Sequence, residues 1–203
     1  MLQYKIVLAG AKNVGKSSLV ARFCDNVFSE KMMDTIGVAF KRKKVQIGDK
    51  HHFDLAIWDF GGEEKYRILF PQYIKGAVAA LILYDSTRED TFKDVYNWLD
   101  IINESAKKNF VKVLVATKTD LIDQDSINLE KAIKFAQEND FYGDPILTSS
   151  KTGHNVEKAF IKIVEGIARN HNQECVKCGE VFSIKLKFCN YCGAKAKNQA
   201  VSF

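Results

Sequence analysis

A glycine-rich segment near the N-terminus has the residue types and spacing of a phosphate-binding loop. It runs from Gly10 to Ser17, follows an apolar strand-like run and precedes a helix-forming stretch. Its glycines let backbone N–H groups turn toward a phosphate, and the helix N-terminus adds partial positive charge. Lys16 would contact the outer phosphates, and the Ser17 hydroxyl would bind Mg2+.

Polar residues follow three further predicted strands. Asp59 ends the run 54–58 and precedes a Phe-Gly-Gly sequence, Thr117-Lys118-Thr119-Asp120 follows the run 111–116, and 148–151 follows the last strand. Ligands of doubly wound sheets bind at the carboxyl ends of the strands. Asp59 could hold Mg2+ through water, and Gly62 could offer a backbone N–H to a terminal phosphate. Each segment alone would be an ordinary polar loop, whereas all of them together indicate one site.

Asp120 gives the predicted site its base preference. Its carboxylate could accept hydrogen bonds from N1 and the 2-amino group of guanine, and adenine lacks this pair of donors. The apolar stem of Lys118 could cover the base. The segment 148–151 could present a backbone N–H to guanine O6. The ligand predicted from these residues is a guanine nucleotide.

Strand-like and helix-like segments alternate along the chain. Strands are predicted at 3–9, 38–47, 52–59, 77–84, 111–117 and 145–149, and helices at 16–25, 64–74, 91–107, 129–139 and 155–170. This alternation predicts an α/β fold with a P-loop and a doubly wound, mostly parallel six-stranded sheet with helices on both faces. The hairpin turn at 47–50 makes one edge strand antiparallel. Apolar spacing predicts the buried positions of two helices, which are Phe92, Val95, Leu99, Ile102, Val156, Ala159, Phe160, Ile163 and Ile167.

Composition sets the class of protein. With 203 residues and 46% hydrophobic content, the chain can form one substantial core and a small appendage. The net charge of +5 is too small to predict a nucleic-acid-binding protein. No apolar run reaches the length of a membrane span, and neither a signal peptide nor a lipidation motif is recognisable. We therefore expect a soluble, cytoplasmic, monomeric protein without an encoded lipid anchor, which would reach membranes only through a partner.

Four cysteines distinguish the C-terminal segment. Cys175 and Cys178 form one pair and Cys189 and Cys192 a second, each followed by a glycine. Four thiolates at this spacing suit tetrahedral Zn2+, although two disulfides or an iron–sulfur site are alternatives. A cytosolic chain disfavours disulfides, so we predict zinc. The segment resembles a zinc ribbon, and the change in composition places a boundary at about residue 172. This divides the chain into 1–171 and 172–203.

The partner of this appendage is less well defined by the sequence. Five lysines surround the cysteines, which suggests nucleic acid, but four thiolates exceed the charge of the zinc that they hold. Protein contact is the favoured interpretation and nucleic acid is not expected. The lysines are Lys177, Lys185, Lys187, Lys195 and Lys197.

Residues 1 to about 171 resemble the Ras superfamily of small GTPases, and within it the Rab-like branch. The resemblance implies GTP or GDP with Mg2+ as ligands, GTP hydrolysis, and effector and regulatory proteins that contact two switch segments. Asp34-Thr35-Ile36-Gly37 resembles the first switch, with Thr35 as a Mg2+ ligand, and 58–64 resembles the second. Phe28 stands where the family packs an aromatic ring against guanine.

The resemblance and the residue chemistry together give the expected site residues. The catalytic residues expected are Lys16, Thr35, Gly62 and Glu63. The nucleotide-binding residues expected are Lys12, Asn13, Val14, Gly15, Lys16, Ser17, Ser18, Phe28, Thr35, Gly62, Thr117, Lys118, Asp120, Leu121, Ser149, Ser150 and Lys151. The metal ligands expected are Ser17, Thr35 and Asp59 for Mg2+ and the four cysteines for Zn2+.

Three positions depart from the family pattern. Glu63 replaces the usual glutamine, and a carboxylate can accept a hydrogen bond from the attacking water but cannot donate one. Lys12 is bulky and charged, so it could stabilise γ-phosphate charge or block a partner's arginine finger. Thr117 replaces an asparagine that normally ties the base loop to the phosphate loop, which predicts weaker binding.

These observations predict a GTP-dependent molecular switch with slow hydrolysis. One alternative is a GTP-binding scaffold with little hydrolysis, suggested by Glu63 and Lys12. Another is a nucleic-acid or ribosome-binding module that acts through the zinc ribbon under nucleotide control.

Overall fold

The computed structural model describes residues 2–31, 35–48, 51–122 and 129–201. Asp34 of the predicted first switch and Asp49 and Lys50 of the predicted hairpin turn lie outside these ranges. All the residues expected to bind nucleotide or metal lie within them.

The central sheet of the described residues has six strands. These are β1 (Leu2–Ala9), β2 (Val38–Ile47), β3 (His51–Phe60), β4 (Ala77–Asp85), β5 (Val111–Thr117) and β6 (Ile146–Leu147). Their order is β2-β3-β1-β4-β5-β6, and only the pairing of β2 with β3 is antiparallel. The predicted parallel sheet with one antiparallel edge strand is confirmed.

Helices cover both faces of this sheet. They are α1 (Lys16–Asp25), α2 (Glu64–Arg67), α3 (Phe70–Tyr73), α4 (Glu89–Ser105), α5 (Leu129–Glu138) and α6 (Val156–His171), with a 3-10 helix at Thr119–Leu121. Apolar residues of α1 and α6 pack against one face, and those of α3, α4 and α5 against the other. All nine helix positions predicted to be buried in α4 and α6 are buried.

Two predicted elements are shorter in the structure than predicted, and a proline lies in or beside each of them. The helix expected at 64–74 is divided into α2 and α3, and Pro71, which has no N–H to donate, lies in the first turn of α3. The strand expected at 145–149 is reduced to β6. Pro145 cannot donate to the sheet, and the N–H of Ser149 bonds to His154 O instead of a strand.

The C-terminal segment continues directly from α6. Strand β7 (Asn172–Glu174) starts at the next residue and pairs antiparallel with β8 (Val181–Ser183). Val181 and Val201 belong to the same buried cluster as Val45 and Ile47 of β2. The segment therefore shares a core with the sheet.

A hydrogen-bonded pair shows where this segment lies. Tyr4 Oη donates to Asn172 Oδ1 at 2.9 Å and accepts from Asn172 Nδ2 at 2.7 Å. Tyr4 is near the start of β1, and the phosphate loop follows the end of the same strand. The C-terminal segment thus lies at the end of the sheet opposite the phosphate loop. Among the helices of the described residues, none has the length and apolarity needed to cross a bilayer.

Candidate nucleotide site and cysteine cluster

The loop between β1 and α1 has backbone angles that depend on its glycines. Gly10 has φ 145°, and a Cβ there would lie 2.4 Å from the carbonyl oxygen of Leu83 in β4. Gly15, just before α1, has φ 95°, and Asn13 between them has φ 62°. A side chain at Gly10 would collide with the sheet, so this position requires glycine. The loop can therefore fold tightly over the end of β4.

Lys16 is buried inside this loop. Its Nζ donates hydrogen bonds to the carbonyl oxygens of Gly10 and Ala11, both at 2.7 Å. Burial lowers the pKa of Lys16 to about 8, although the nearby charge of Asp59 opposes the shift. A buried ammonium is stabilised by a neighbouring anion. The loop therefore holds a cation that a phosphate group would stabilise.

Three oxygen-bearing side chains converge beside Lys16. Ser17 Oγ lies 2.6 Å from Thr35 Oγ1 and donates to Asp59 Oδ2. Burial raises the pKa of Asp59, although the hydrogen bond from Ser17 and the charge of Lys16 oppose the shift. Asp59 Oδ1 is buried and has no hydrogen-bond partner among the described residues. Mg2+ prefers oxygen ligands, so the expected ligand set fits this ion.

A cavity of about 500 Å3 lies over these groups. Most of the expected nucleotide-binding residues line it; Val14 and Ser149 are buried and are not part of its lining. Ser29, Glu30 and Phe60 also line the cavity, although the sequence did not point to them. The residues lining the cavity are Lys12, Asn13, Gly15, Lys16, Ser17, Ser18, Phe28, Ser29, Glu30, Thr35, Phe60, Gly62, Glu63, Thr117, Lys118, Asp120, Leu121, Ser150 and Lys151.

Thr117 connects the base loop with the phosphate loop. Its Oγ1 lies 2.6 Å from the carbonyl oxygen of Val14 and 2.9 Å from that of Tyr84. The weaker binding expected from the missing asparagine assumed that this connection is lost. The threonine hydroxyl provides it, so that reason for weaker binding does not hold in this structure.

Lys118 is fixed by a carboxylate that was not predicted from the sequence. Its backbone has φ 59°, and its Nζ lies 2.6 Å from Oδ2 of Asp85, the buried last residue of β4. Burial alone would raise the pKa of Asp85, but hydrogen bonds from Lys118 and Thr87 outweigh it and lower the pKa. This ion pair holds the lysine stem beside the cavity. An acid at the end of a parallel strand was the only available signal for Asp85.

The second base segment is held by α1 and by the first base segment. Arg22 Nε donates to Ser150 O at 2.7 Å, and Arg22 Nη2 donates to Lys151 O at 2.8 Å. The backbone N–H of Thr119 donates to Thr148 O at 3.2 Å. Arg22 was not among the predicted residues, because nothing in the local sequence connects it with a loop more than a hundred residues away.

The segment after β3 touches both the phosphate loop and the segment of Thr35. A Cβ on Gly62 would lie 2.4 Å from the carbonyl oxygen of Ala11, so the two backbones are in close contact. The N–H of Gly61 donates to Gly37 O at 2.9 Å. Across this junction, Lys12 Nζ donates to Glu63 Oε1 at 3.0 Å. Two positions that depart from the family pattern therefore form an ion pair at the mouth of the cavity.

The four cysteines of the C-terminal segment form one cluster. All four sulfur atoms lie within 4.8 Å of one another, with Cys175 to Cys192 at 3.6 Å and Cys178 to Cys189 at 3.7 Å. A disulfide needs about 2.05 Å, whereas sulfurs bound to tetrahedral zinc at about 2.3 Å lie about 3.8 Å apart. The geometry fits a zinc ion better than two disulfides.

The two cysteine turns have the same backbone pattern. Gly179 and Gly193 have φ of 73° and 72°, and their N–H groups donate to the carbonyl oxygens of Cys175 and Cys189. Backbone N–H groups of Cys178 and Lys177 lower the pKa of the Cys175 thiol. The backbone N–H of Glu180 also lowers the pKa of Cys178, but burial and the other three thiols outweigh it and raise that pKa. A thiol with a lowered pKa is readily available as a thiolate ligand. Cys24 lies outside the cluster.

Comparisons with known proteins agree with this geometry. The family model described as "Ras family" matches residues 5–169. The GTP-binding protein ypt3 of Schizosaccharomyces pombe is 38% identical over 177 residues, which covers 87% of this chain and 81% of the relative.

Two further relatives come from a plant and an amoeba. The Ras-related protein RABA1g of Arabidopsis thaliana is 38% identical over 178 residues, covering 87% of this chain and 80% of the relative. The Ras-related protein Rab-1D of Dictyostelium discoideum is 37% identical over 195 residues, covering 95% of this chain and 93% of the relative.

Proposed function

Because the chain belongs to the Ras family and is a Rab-like small GTPase that binds GTP and GDP, we propose that it is a Mg2+-dependent switch with slow hydrolysis. The observation that supports this most directly is the convergence of Lys16, Ser17, Thr35 and Asp120 on one cavity, with Asp59 bonded to Ser17 behind its lining. Nucleotide state would then be reported to partners through the segments around Thr35 and Gly62.

Lys16, Ser17, Thr35 and Asp59 would share the phosphate end of the cavity. On binding, the ammonium of Lys16 would exchange carbonyl partners for phosphate oxygens, which are stronger acceptors. Ser17, Thr35 and Asp59 would hold Mg2+, which neutralises phosphate charge when bound. The unpartnered oxygen of Asp59 supports this assignment.

Asp120 would select guanine at the other end. It lines the cavity beside Lys118, whose position is fixed by Asp85. Replacing guanine by adenine would remove the paired donors that the carboxylate accepts, and sites built on such pairs discriminate by roughly ten thousandfold.

Hydrolysis would be slow because Glu63 is a carboxylate. It can accept a hydrogen bond from the attacking water, but it cannot donate one to the transition state. Its charge would also oppose that of the phosphates. Lys12, 3.0 Å away, offsets part of this charge, which supports slow rather than absent turnover.

The switch segments would form the surface that effector and regulatory proteins contact. Ile36 and Ile68 are 84% and 80% exposed, and Phe40 is 52% exposed. Large exposed apolar side chains that lie close together commonly mark protein interfaces. Because Gly61 bonds to Gly37 between them, a change at one segment would be transmitted to the other.

We also propose a division of the chain into two parts, a zinc site and an oligomeric state. Residues 1–171 would form the GTPase part and residues 172–203 a zinc ribbon held by its four thiolates. The protein would be a cytoplasmic monomer, and the ribbon would contact a binding partner.

Competition binding tests the assignment. Purified protein would be loaded with a fluorescent GDP analogue and titrated with GTP, GDP, ATP and ADP, with and without Mg2+. We expect displacement by guanine nucleotides only, and weaker binding without Mg2+. Tight binding of ATP without binding of GTP or GDP would overturn it.

A second candidate is a GTP-binding scaffold with almost no hydrolysis. The Lys12–Glu63 ion pair favours it, because the same contact could keep Glu63 away from an attacking water. A single-turnover assay on preloaded protein separates the two candidates. Phosphate release at the rate of ordinary family members would exclude the scaffold.

A further inference from the structure

The C-terminal segment carries a concentrated set of exposed apolar side chains. Five of the twelve exposed large hydrophobic residues in the described part of the chain lie in it, although it is a small part of the chain, and exposed lysines lie among them. We call this set the ribbon face. It consists of Val176, Ile184, Leu186, Phe188 and Tyr191, with Lys177, Lys185, Lys187 and Lys195.

The centre of the ribbon face is the segment 184–188, in which apolar residues alternate with lysines. All five side chains are exposed, from 42% for Leu186 to 58% for Phe188 among the apolar ones. Apolar side chains in water are unfavourable unless a partner covers them. Alternation with lysines indicates that this partner is both apolar and anionic.

The backbone of this segment is fixed although its side chains are exposed. Ile184 N–H donates to His171 O at 3.0 Å, and Leu186 N–H donates to Ser183 O at 3.0 Å. Leu186 O also accepts from the buried Gln173 Nε2 at 3.1 Å. The face is thus pre-organised, which reduces the entropy lost on binding.

The two cysteine turns extend the ribbon face. Since the four sulfurs lie within 4.8 Å of one another, the turns that carry Val176 and Tyr191 must be neighbours. Phe188 pairs with Lys195, which places another lysine beside the segment 184–188. Exposed apolar and basic side chains are therefore concentrated in the two cysteine turns and the segment between them.

The shape and charge of the ribbon face favour a lipid surface over a peptide. Peptides are usually bound in grooves or along strand edges, whereas three of the five apolar side chains, those of Val176, Ile184 and Tyr191, stand on turns. Aromatic and aliphatic tips flanked by lysines suit the interface of a bilayer, where lysines meet anionic headgroups. The exposed acid of this region is Glu180, so the described residues of the face carry a basic excess.

We propose that the ribbon face binds anionic lipid bilayers directly. Its apolar side chains would enter the headgroup region, and its lysines would contact the lipid phosphates and carboxylates. The face lies at the end of the sheet opposite the nucleotide cavity. Bilayer binding would thus leave the switch segments accessible.

Vesicle sedimentation with the full-length, zinc-loaded protein tests the proposal. One vesicle would contain phosphatidylcholine alone and the other roughly 30% phosphatidylserine. We expect binding to the anionic vesicles that weakens with salt. Lys185→Glu with Lys187→Glu should lower the partition coefficient by more than about twentyfold, since each lysine charge contributes about fivefold. Leu186→Ser with Phe188→Ser should also weaken binding.

Matched controls lie on the exposed surface of α4 and α5. Lys93→Glu with Lys134→Glu makes the same charge change, and Tyr96→Ser removes a 51% exposed aromatic side chain. Both controls should bind vesicles nearly as the parent does. Retained zinc content and GDP binding would show that the variants are folded.

Three results would overturn the proposal. They are no binding to anionic vesicles, equal losses in the ribbon and control variants, and binding of a single-stranded RNA homopolymer without vesicle binding. The last would assign the lysines to nucleic acid. Because GDP binding is measured on the same samples, failure of this proposal would be distinct from failure of the nucleotide assignment.

Discussion

Lys16 should give the nucleotide-free protein a distinctive dependence on pH. Its pKa in the folded state is about 8, below the usual value of 10.5. Between these values the unfolded state binds more protons, so the contribution of Lys16 to stability rises with pH. Below pH 8 the buried charge costs up to about 3 kcal/mol.

Replacing Lys16 with methionine should therefore stabilise the nucleotide-free protein most at neutral pH. We expect the difference in free energy of unfolding between variant and parent to shrink as pH rises from about 8 to about 10.5. Urea denaturation across this range, with the exposed Lys134→Met as control, measures it. If the free energies of unfolding of Lys16→Met and its parent change with pH in parallel, the lowered pKa of Lys16 is refuted.

Glu63→Gln should accelerate hydrolysis, because glutamine can both accept from water and donate to the transition state. We expect an increase of about tenfold or more in single-turnover phosphate release with little change in GTP affinity. A rate unchanged or lowered by the substitution would mean that Glu63 acts in another way.

The Lys12–Glu63 ion pair predicts a non-additive effect. Lys12→Ala should slow hydrolysis when Glu63 is present, since the carboxylate charge would no longer be offset. In the Glu63→Gln background the same change should have little effect, because no charge remains to be offset. Equal effects in both backgrounds would show that the two residues act independently.

Residues with local signals were predictable, and those defined by distant contacts were not. The glycines, Lys16 and Ser17 form a contiguous motif, and Asp59 and Asp120 follow apolar runs. Asp85 becomes functional only through its contact with Lys118, and Arg22 only through Ser150 and Lys151. Such pairings depend on strand order, which apolar periodicity does not specify.

The strands and helices were also predictable from the sequence in part. Strand-sized apolar runs predicted the strands β1 to β5, and apolar spacing predicted the buried positions of α4 and α6, which each bury one face. Periodicity alone extended one helix across Pro71 and one strand beyond Leu147. At both places a missing or diverted backbone N–H outweighs apolar spacing.

The contact that Thr117 makes between the base loop and the phosphate loop should control nucleotide release. Thr117→Val keeps the side-chain volume but leaves the carbonyl oxygens of Val14 and Tyr84 without the hydroxyl. We expect GDP to dissociate roughly tenfold faster, since a buried unpaired group costs about 1–3 kcal/mol. Stopped-flow release of fluorescent GDP measures this.

A matched control for that change is Tyr4→Phe. The Tyr4 hydroxyl shares two hydrogen bonds with the buried Asn172, at the end of the sheet opposite the phosphate loop. This variant should lose stability but release GDP at nearly the parental rate. If both variants release GDP equally fast, general destabilisation rather than the loop connection is responsible.

At the scale of the molecule, the shared core should make zinc part of overall stability. Val181 and Val201 pack in the cluster that includes Val45 and Ile47. Chelation of zinc should unfold the ribbon and expose that part of the core. We expect a lower Tm for the whole protein, measured by thermal unfolding with GDP present.

Cys178, the exposed residue of the cysteine cluster, provides a variant for the same experiment. Cys178→Ser should reproduce the effect of the chelator, whereas Cys24→Ser should leave the response to chelator unchanged. If the Tm of the GTPase part does not change when zinc is removed, the shared core does not couple the two parts.

The absence of any intervening residue between α6 and β7 limits how far this molecule can reach. A flexible tail lets a tethered protein search a volume that grows with the length of the tail. Here the ribbon and the nucleotide cavity keep one separation and one relative orientation. When the ribbon is bound to a surface, the switch segments would therefore lie at a fixed distance from that surface. A partner attached to the same surface would reach them only if its binding site lies at the same distance.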